Sequence, residues 1–376
     1  MNSFGSHHIE TARVGPGLCL FRPDNHALCL LNETASEIWQ AAADGIREQD
    51  ICEQLAAAYG ITHGDARNDV AQAKAGWRQA GLLGNDGGCG EERGPQCPAI
   101  IPRLDRVYGG PNERGVRVRC DEPILAALLG AVLAPLECQR QPTATFTVEG
   151  IQERYSVWRD DRSILIAGDR ATARHEVLRG VLLETMGEAN MAGILHACAV
   201  TNDRRAYLLA GGSGSGKTTL GARLARDGWG YLADDLTPLC HDGRSVGQFP
   251  TAMGIKAGSW TVIGDHFASL WDQEVFVTRR LQVRYLDFGP AHMNEDATHP
   301  VAAVIFPHYD GEAGKTNISS MSPEEVFTYL IEAGSTIEGA RASVRPLARL
   351  ANDVPAYSIR FSDLEDALRA IRQLVI

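Results

Sequence analysis

The chain reads as two units: a small α+β, winged-helix-like unit, then a larger α/β unit built around a phosphate-binding loop. Three observations predict this. The first eighty residues carry a hairpin followed by three helical periods, and a strand, glycine loop, helix, strand alternation begins at Ala206. The stretch Gly84–Pro98 (GNDGGCGEERGPQCP) holds five glycines and two prolines with almost no apolar side chains, so it reads as a linker. A length of 376 residues suits two or three domains. Boundaries are expected at 1–84, a linker at 85–98, an α+β part at 99–200 and the P-loop domain at 201–376.

Each early element has a local cause. Leu18–Phe21 and Ala27–Leu31 are short β-prone runs separated by the turn residues Pro23-Asp24-Asn25. Asn32 is suited to cap a helix through Ala43, closed by Gly45. A second helix spans about Glu48 to Tyr59 and stops at Gly60, with Ile51, Leu55 and Ala58 at helical spacing. A third spans about Asp65 to Ala80, with Val70, Ala73 and Trp77 inward. Further on, strands are expected at 116–120, 144–148, 155–158, 163–167, 281–286, 301–306 and 357–361. Helices are expected at 124–133, 172–186 and 363–374.

Composition excludes several classes. Hydrophobic residues at 44% and charged residues at 22% rule out a largely disordered chain. A net charge of −11, from 36 basic and 47 acidic residues, leaves no broad phosphate-neutralising surface, so neither nucleic acid nor an anionic membrane is an expected partner. No run of 18 apolar residues predicts a membrane span. Met1–Gly17 lacks the plan of a signal peptide. Nine cysteines without a C-x-x-C pair fit a reducing cytoplasm better than a disulfide frame or a zinc site.

The strongest chemical signal is Gly211-Gly212-Ser213-Gly214-Ser215-Gly216-Lys217-Thr218, a complete G-x-x-x-x-G-K-[ST] loop after the apolar run AYLLA and before a helical segment from Thr219. Glycines let backbone N–H groups converge on phosphate oxygens at a helix N-terminus. Lys217 supplies a point charge and Thr218 a hydroxyl for Mg²⁺, which makes ATP and Mg²⁺ the expected ligands. Downstream, Tyr231-Leu232-Ala233-Asp234-Asp235 is a short strand ending in two carboxylates, expected beside the loop on a neighbouring parallel strand. One would hold the metal and the other would take the acceptor's proton; the expectation is Asp234 as base and Asp235 as metal ligand, which the sequence does not decide.

His196, the loop, Arg226-Asp227-Gly228-Trp229 and Leu232-Ala233-Asp234-Asp235 together resemble the core of the HPr kinase/phosphorylase family. The likeness extends more loosely through Phe249-Pro250, Lys256, Val283-Arg284-Tyr285-Leu286, Ile305-Phe306-Pro307 and Val354-Pro355-Ala356-Tyr357. It covers about residues 100–376, with the specific motifs at 196–235. It implies an HPr-kinase/PEP-carboxykinase-like P-loop fold, a homo-oligomer, and phosphoryl transfer to a hydroxyl. It further implies that His196 orients the acidic pair, while Lys256 and Arg284 bring positive charge to the phosphoryl group. The segment Phe249–Ile263 has no match to the family's glutamate signature, which puts its phosphorylase half in doubt.

Cys29-Leu30-Leu31-Asn32-Glu33-Thr34-Ala35-Ser36-Glu37-Ile38-Trp39 and Trp77-Arg78-Gln79-Ala80-Gly81-Leu82-Leu83 resemble the two ends of the PqqD family, over about residues 10–84. That resemblance implies recognition of the leader of a ribosomally made precursor peptide by strand addition. The expected walls are Ala27, Leu28, Cys29, Leu30 and Leu31 on the strand, and Val70, Lys74, Trp77 and Arg78 on the third helix. That helix pairs Arg67, Lys74 and Arg78 with Asp65 and Asp69, too little positive charge to grip DNA. The two units together predict a tethered-substrate enzyme that phosphorylates a Ser or Thr of the peptide. A small-molecule kinase in a peptide-biosynthesis complex and a non-catalytic nucleotide-gated scaffold are the rival readings.

Overall fold

The computed structural model describes residues 9–83, 95–111, 113–187, 190–278, 281–289, 297–338 and 342–374. Residues 84–94 of the expected linker lie outside them. The N-terminal sheet has three antiparallel strands in the order β1 (Glu10–Val14), β2 (Gly17–Arg22), β3 (Ala27–Leu31). The first was not expected: in ETARV only Ala12 and Val14 turn inward, too few to register as a strand signal.

Three helices follow: α1 (Glu33–Ala43), α2 (Glu48–Tyr59) and α3 (His63–Gln79). The Asn32 side chain accepts from the Ala35 N–H, Thr62 caps α3 in the same way, and Gly60 closes α2 at φ 64°. Their shared core contains Ile38, Trp39, Ile51, Leu55, Val70 and Trp77, with the two indoles edge to face at 4.8 Å.

A five-stranded sheet comes next, in the order β4 (Leu104–Gly109), β5 (Gly115–Cys120), β6 (Pro142–Ile151), β7 (Arg154–Arg159), β8 (Arg162–Gly168). It packs against α4 (Pro123–Leu133), the crossover between the parallel pair β5–β6, and α5 (Arg170–Met186).

The remaining strands are β9 (Met191–Leu195), β10 (Ala197–Asn202), β11 (Arg205–Ala210), β12 (Gly230–Ala233), β13 (Thr237–Cys240), β14 (Ser245–Gly247), β15 (Met253–Lys256), β16 (Phe276–Thr278), β17 (Leu281–Leu286), β18 (Thr298–Tyr309), β19 (Asn317–Ser320), β20 (Thr336–Ile337) and β21 (Ala356–Phe361). Among the described residues ten of these form one mixed sheet along the path β12-β10-β11-β18-β14-β13-β9-β20, with β21 on β18 and β19 on β21. The other three make a small antiparallel sheet, β15-β17-β16. Helices α6 (Lys217–Arg226), α7 (Trp260–Gly264), α8 (Pro323–Glu332), α9 (Arg345–Asp353) and α10 (Leu364–Gln373) complete the unit. Position 200, where a boundary was expected, lies inside β10, which pairs with β11, the strand that leads into the glycine loop.

The two units share a core. In β2, Leu18 and Leu20 face the three helices, while Cys19 and Phe21 join Ala12 and Val14 in a cluster with Leu347, Leu350 and Ala351 of α9. Glu10 pairs with Arg345 at 3.0 Å and accepts from Ser343 Oγ (2.8 Å) and the Val344 N–H (3.1 Å). Asn352 accepts from the Gly15 N–H and donates to the Arg13 carbonyl, both at 2.8 Å. Gly15, at φ +54°, sits where a Cβ would land in the Glu324 carboxylate of α8.

Candidate active site

Strand β11 delivers the chain into Gly211–Gly216, and α6 starts at Lys217. Gly211, Gly214 and Gly216 take φ of 141°, 89° and 102°, conformations that turn successive backbone N–H groups to one side of the loop. The loop is braced by the Ser215 carbonyl, which accepts from the Tyr309 N–H of β18 (3.1 Å), and by Phe361, 3.0 Å from where a Gly216 Cβ would stand. Lys217 is 5% exposed, and its ammonium donates to the Gly211 carbonyl at 2.7 Å. Ser215 Oγ is buried without a hydrogen-bond partner. A cradle of backbone donors, a buried ammonium and an orphaned hydroxyl fits a polyphosphate chain. Thr219 Oγ1 meets Ser259 Oγ at 2.8 Å.

The acidic pair comes from β12, which is not the immediate neighbour of β11. Strand β10 lies between them, antiparallel to both, so β12 runs parallel to β11 one strand removed. Asp234 and Asp235 then diverge sharply. The Leu236 N–H reaches the Asp234 carbonyl at 2.8 Å across Asp235, which stands at φ 63°. That tight, strained turn sends the neighbouring side chains to different places. Asp234 is 7% exposed, and both its oxygens lie 3.3 Å from Thr218 Oγ1. Asp235 is exposed, and its Oδ1 lies 3.6 Å from His196 Nε2.

Electrostatics separate the two further. Burial pushes the Asp234 carboxyl up to about 8, and the Asp235 charge adds to this, while Lys217, Thr218 and Lys256 pull the other way. Burial also holds His196 below its ordinary value against the opposing pull of Asp235, so its imidazole is neutral at physiological pH. A hydroxyl and one buried carboxylate at the loop form the kind of sparse oxygen site that Mg²⁺ takes, since that ion keeps several waters and shares phosphate oxygens.

Lys256, at the end of β15, donates to Ser213 Oγ at 2.7 Å and so stands over the loop. Arg284 does not join it. Its guanidinium donates to the carbonyls of Leu270, Trp271 and Gln273 and stacks against the rings of Trp260 (4.9 Å) and Trp271 (5.7 Å). Strand alternation explains this: Arg284 points to the face opposite Val283 and Tyr285, away from Lys256.

In the N-terminal unit β3 is an edge strand: among the described residues no strand pairs with its outer side. Ala27 to Leu30 are half-buried, with Ala27 and Cys29 toward the helices and Leu28 and Leu30 toward the α/β unit. Val70 and Trp77, expected as walls of a groove, are fully buried core residues at 0% and 1% exposure. Lys74 is paired with Glu48 at 2.6 Å, and Arg78 is exposed. No helix among the described residues is long and apolar enough to cross a membrane.

Comparison with known proteins assigns the N-terminal unit. The family model of Coenzyme PQQ synthesis protein D (PqqD) matches residues 17–83. No curated protein matches the chain. Solved structures similar to it include TbiB1 in complex with the TbiA(beta) leader peptide, at 17% identity and TM-score 0.20, covering 23% of this chain and 98% of that one. Another is the Hpr(Ser) kinase/phosphatase from Coxiella burnetii, at 13% identity and TM-score 0.23, covering 49% of this chain and 95% of that one. The chain therefore carries a PqqD domain at residues 17–83, joined to an α/β unit that holds the glycine-rich loop Gly211–Gly216 and a buried carboxylate.

Proposed function

We propose that this protein is an ATP- and Mg²⁺-dependent kinase that phosphorylates a Ser or Thr hydroxyl of a ribosomally made precursor peptide held through its leader. The observation that carries the reading is the contact of Thr218 with Asp234 under the loop, with the Asp235–His196 pair beside it. Loop amides, Lys217 and Ser215 hold the triphosphate, and Lys256 meets its outer end. Thr218 and Asp234 hold the metal, which neutralises phosphate charge when bound. This exchanges the carboxylate roles that the sequence suggested, because the buried acid is the one beside Thr218.

Asp235 is then the base. It takes the acceptor hydroxyl's proton as that oxygen bonds to the γ-phosphorus and the bond to the β-phosphate oxygen breaks, leaving ADP. Neutral His196, 3.6 Å away, fixes its direction. The leader adds as a fourth strand along β3, with alternate side chains against the helices and against the α/β unit. Fixed docking of the two units would hold the leader at a constant separation from the loop.

Incubation of the protein with Mg²⁺, ATP and the precursor peptide is expected to give a peptide about 80 Da heavier, one phosphoryl group. Lys217→Ala removes that product. An unchanged peptide mass with wild type, or product formation by the variant, overturns the proposal.

A further inference from the structure

Strand β18 runs on past the point where β11 hands over to the glycine loop. Leu209 pairs with Ile305; β11 ends one residue later at Ala210, whereas β18 continues for four, to Tyr309. That overhang, four residues less one, carries the strand about 10 Å along the flank of the loop. The Pro307 carbonyl oxygen stands 3.9 Å from where a Gly211 Cβ would lie, and the Tyr309 Cβ stands 3.9 Å from where a Gly216 Cβ would lie. This flank is opposite the acidic pair, because β10 and β12 lie on the other side of β11.

Tyr309 ends the overhang with a ring that is 55% exposed. Its cross-strand partner Phe361 of β21 is buried against the loop at Gly216 and meets the phenol edge to face at 5.7 Å. Backbone bonds fix the position on both sides. The Tyr309 N–H donates to the Ser215 carbonyl at 3.1 Å, and the Asp310 N–H donates to the Phe361 carbonyl at 2.8 Å. Arg360 pairs with Asp310 and pins the turn that follows. An aromatic face held this way loses little freedom when a flat ligand covers it.

We propose that Tyr309 is the platform on which the purine base of the bound nucleotide stacks. The proposal rests on the kinase reading and deepens it by naming where the base lies. With the metal-bound end of the triphosphate at Thr218 and Asp234, the ribose and base leave the loop on the β18 flank. Stacking on an aromatic side chain holds a base by its face without reading its edge, so the platform takes any base. A purine covers more of the phenol ring than a pyrimidine does, and so binds more tightly.

Calorimetry of the full chain with Mg²⁺ tests this, using ATP, CTP and inorganic triphosphate as probes. Wild type should bind ATP more tightly than CTP, and CTP more tightly than the base-free triphosphate. Tyr309→Ala should weaken ATP binding about ten-fold, within the range of one base–aromatic stack, and leave triphosphate affinity unchanged. Tyr309→Phe, which keeps the aromatic face, should bind ATP like wild type. Unaltered ATP affinity in Tyr309→Ala overturns the platform. So does an equal loss of triphosphate binding, which would make Tyr309 a brace for the loop, or a raised peptide KM with ATP affinity retained, which would give the ring to the peptide. Failure of wild type to bind any of the three probes would instead overturn the kinase reading itself.

Discussion

Replacing Asp234 with asparagine keeps the side chain's shape and an acceptor for Thr218, but removes its ionisation. In the folded protein that carboxyl is raised from 3.8 to about 8, chiefly by burial. Between those two values the folded protein holds a proton that the unfolded chain has released. Stability of the metal-free protein must therefore fall as pH rises through this window, and level off above about 8. Four units at about 1.4 kcal/mol each set a ceiling on the order of 5 kcal/mol. Water entry and sharing of the proton with Asp235 reduce it, and about 1–3 kcal/mol is expected. Asp234→Asn has no such loss, so its advantage over wild type should grow from about pH 5 to about pH 8 and then flatten. His196 and the other titrating groups are common to both proteins and cancel. Urea unfolding of both proteins without metal, at four pH values across that range, measures the difference. With Mg²⁺ and ATP present the order should reverse, because only wild type keeps the carboxylate at the metal position. Parallel stability curves, or an asparagine variant less stable at pH 8.5 without metal, would refute the burial argument.

Four further outcomes follow from the geometry. Trp77→Ala should cost about 3–5 kcal/mol in urea unfolding, because the indole fills a core against Trp39 and is no groove wall. Asn352→Ala removes both 2.8 Å hydrogen bonds to the β1–β2 turn and should lower stability by about 1–3 kcal/mol, read as a separate early unfolding phase of the N-terminal unit. Leader peptide should slow amide exchange at Ala27–Leu31 and leave the α3 amides unaffected, a pattern that α3 binding would invert. Asp235→Asn should lower kcat by about 10²-fold or more with ATP affinity retained, whereas Asp234→Asn should lose Mg²⁺-dependent ATP binding as well, as calorimetry would show.

Much of this architecture was legible in the chain because its causes are local. The loop Gly211–Thr218 is contiguous, Asn32 and Gly60 announce helix ends, and β17 and β3 have the bounds that their β-prone runs predicted. What was hidden depends on distant partners. Helical spacing correctly turned Val70 and Trp77 inward, but the inside they reach is a packed core. A carboxylate pair identifies itself in sequence, yet the φ of 63° at Asp235 that drives the two acids apart does not. One residue of strand parity decides between Arg284, committed to three carbonyls and two indoles, and Tyr285, which lies on the same face of the small sheet as Lys256. Alternation alone could have raised that choice. The docking of the two units did leave a trace, since Leu18–Phe21 is apolar on both faces of a single strand, more than a sheet covered on one side requires.

The central claim is that a peptide gripped at β3 delivers its hydroxyl to a nucleotide gripped at Gly211–Thr218. Steady-state kinetics of the full-length precursor against the same peptide without its leader tests it most directly. Loss of the leader should raise KM about 10²-fold, in line with effective concentrations of order millimolar for linked sites, and leave kcat within a small factor. Identical kinetic constants for the two peptides would contradict it.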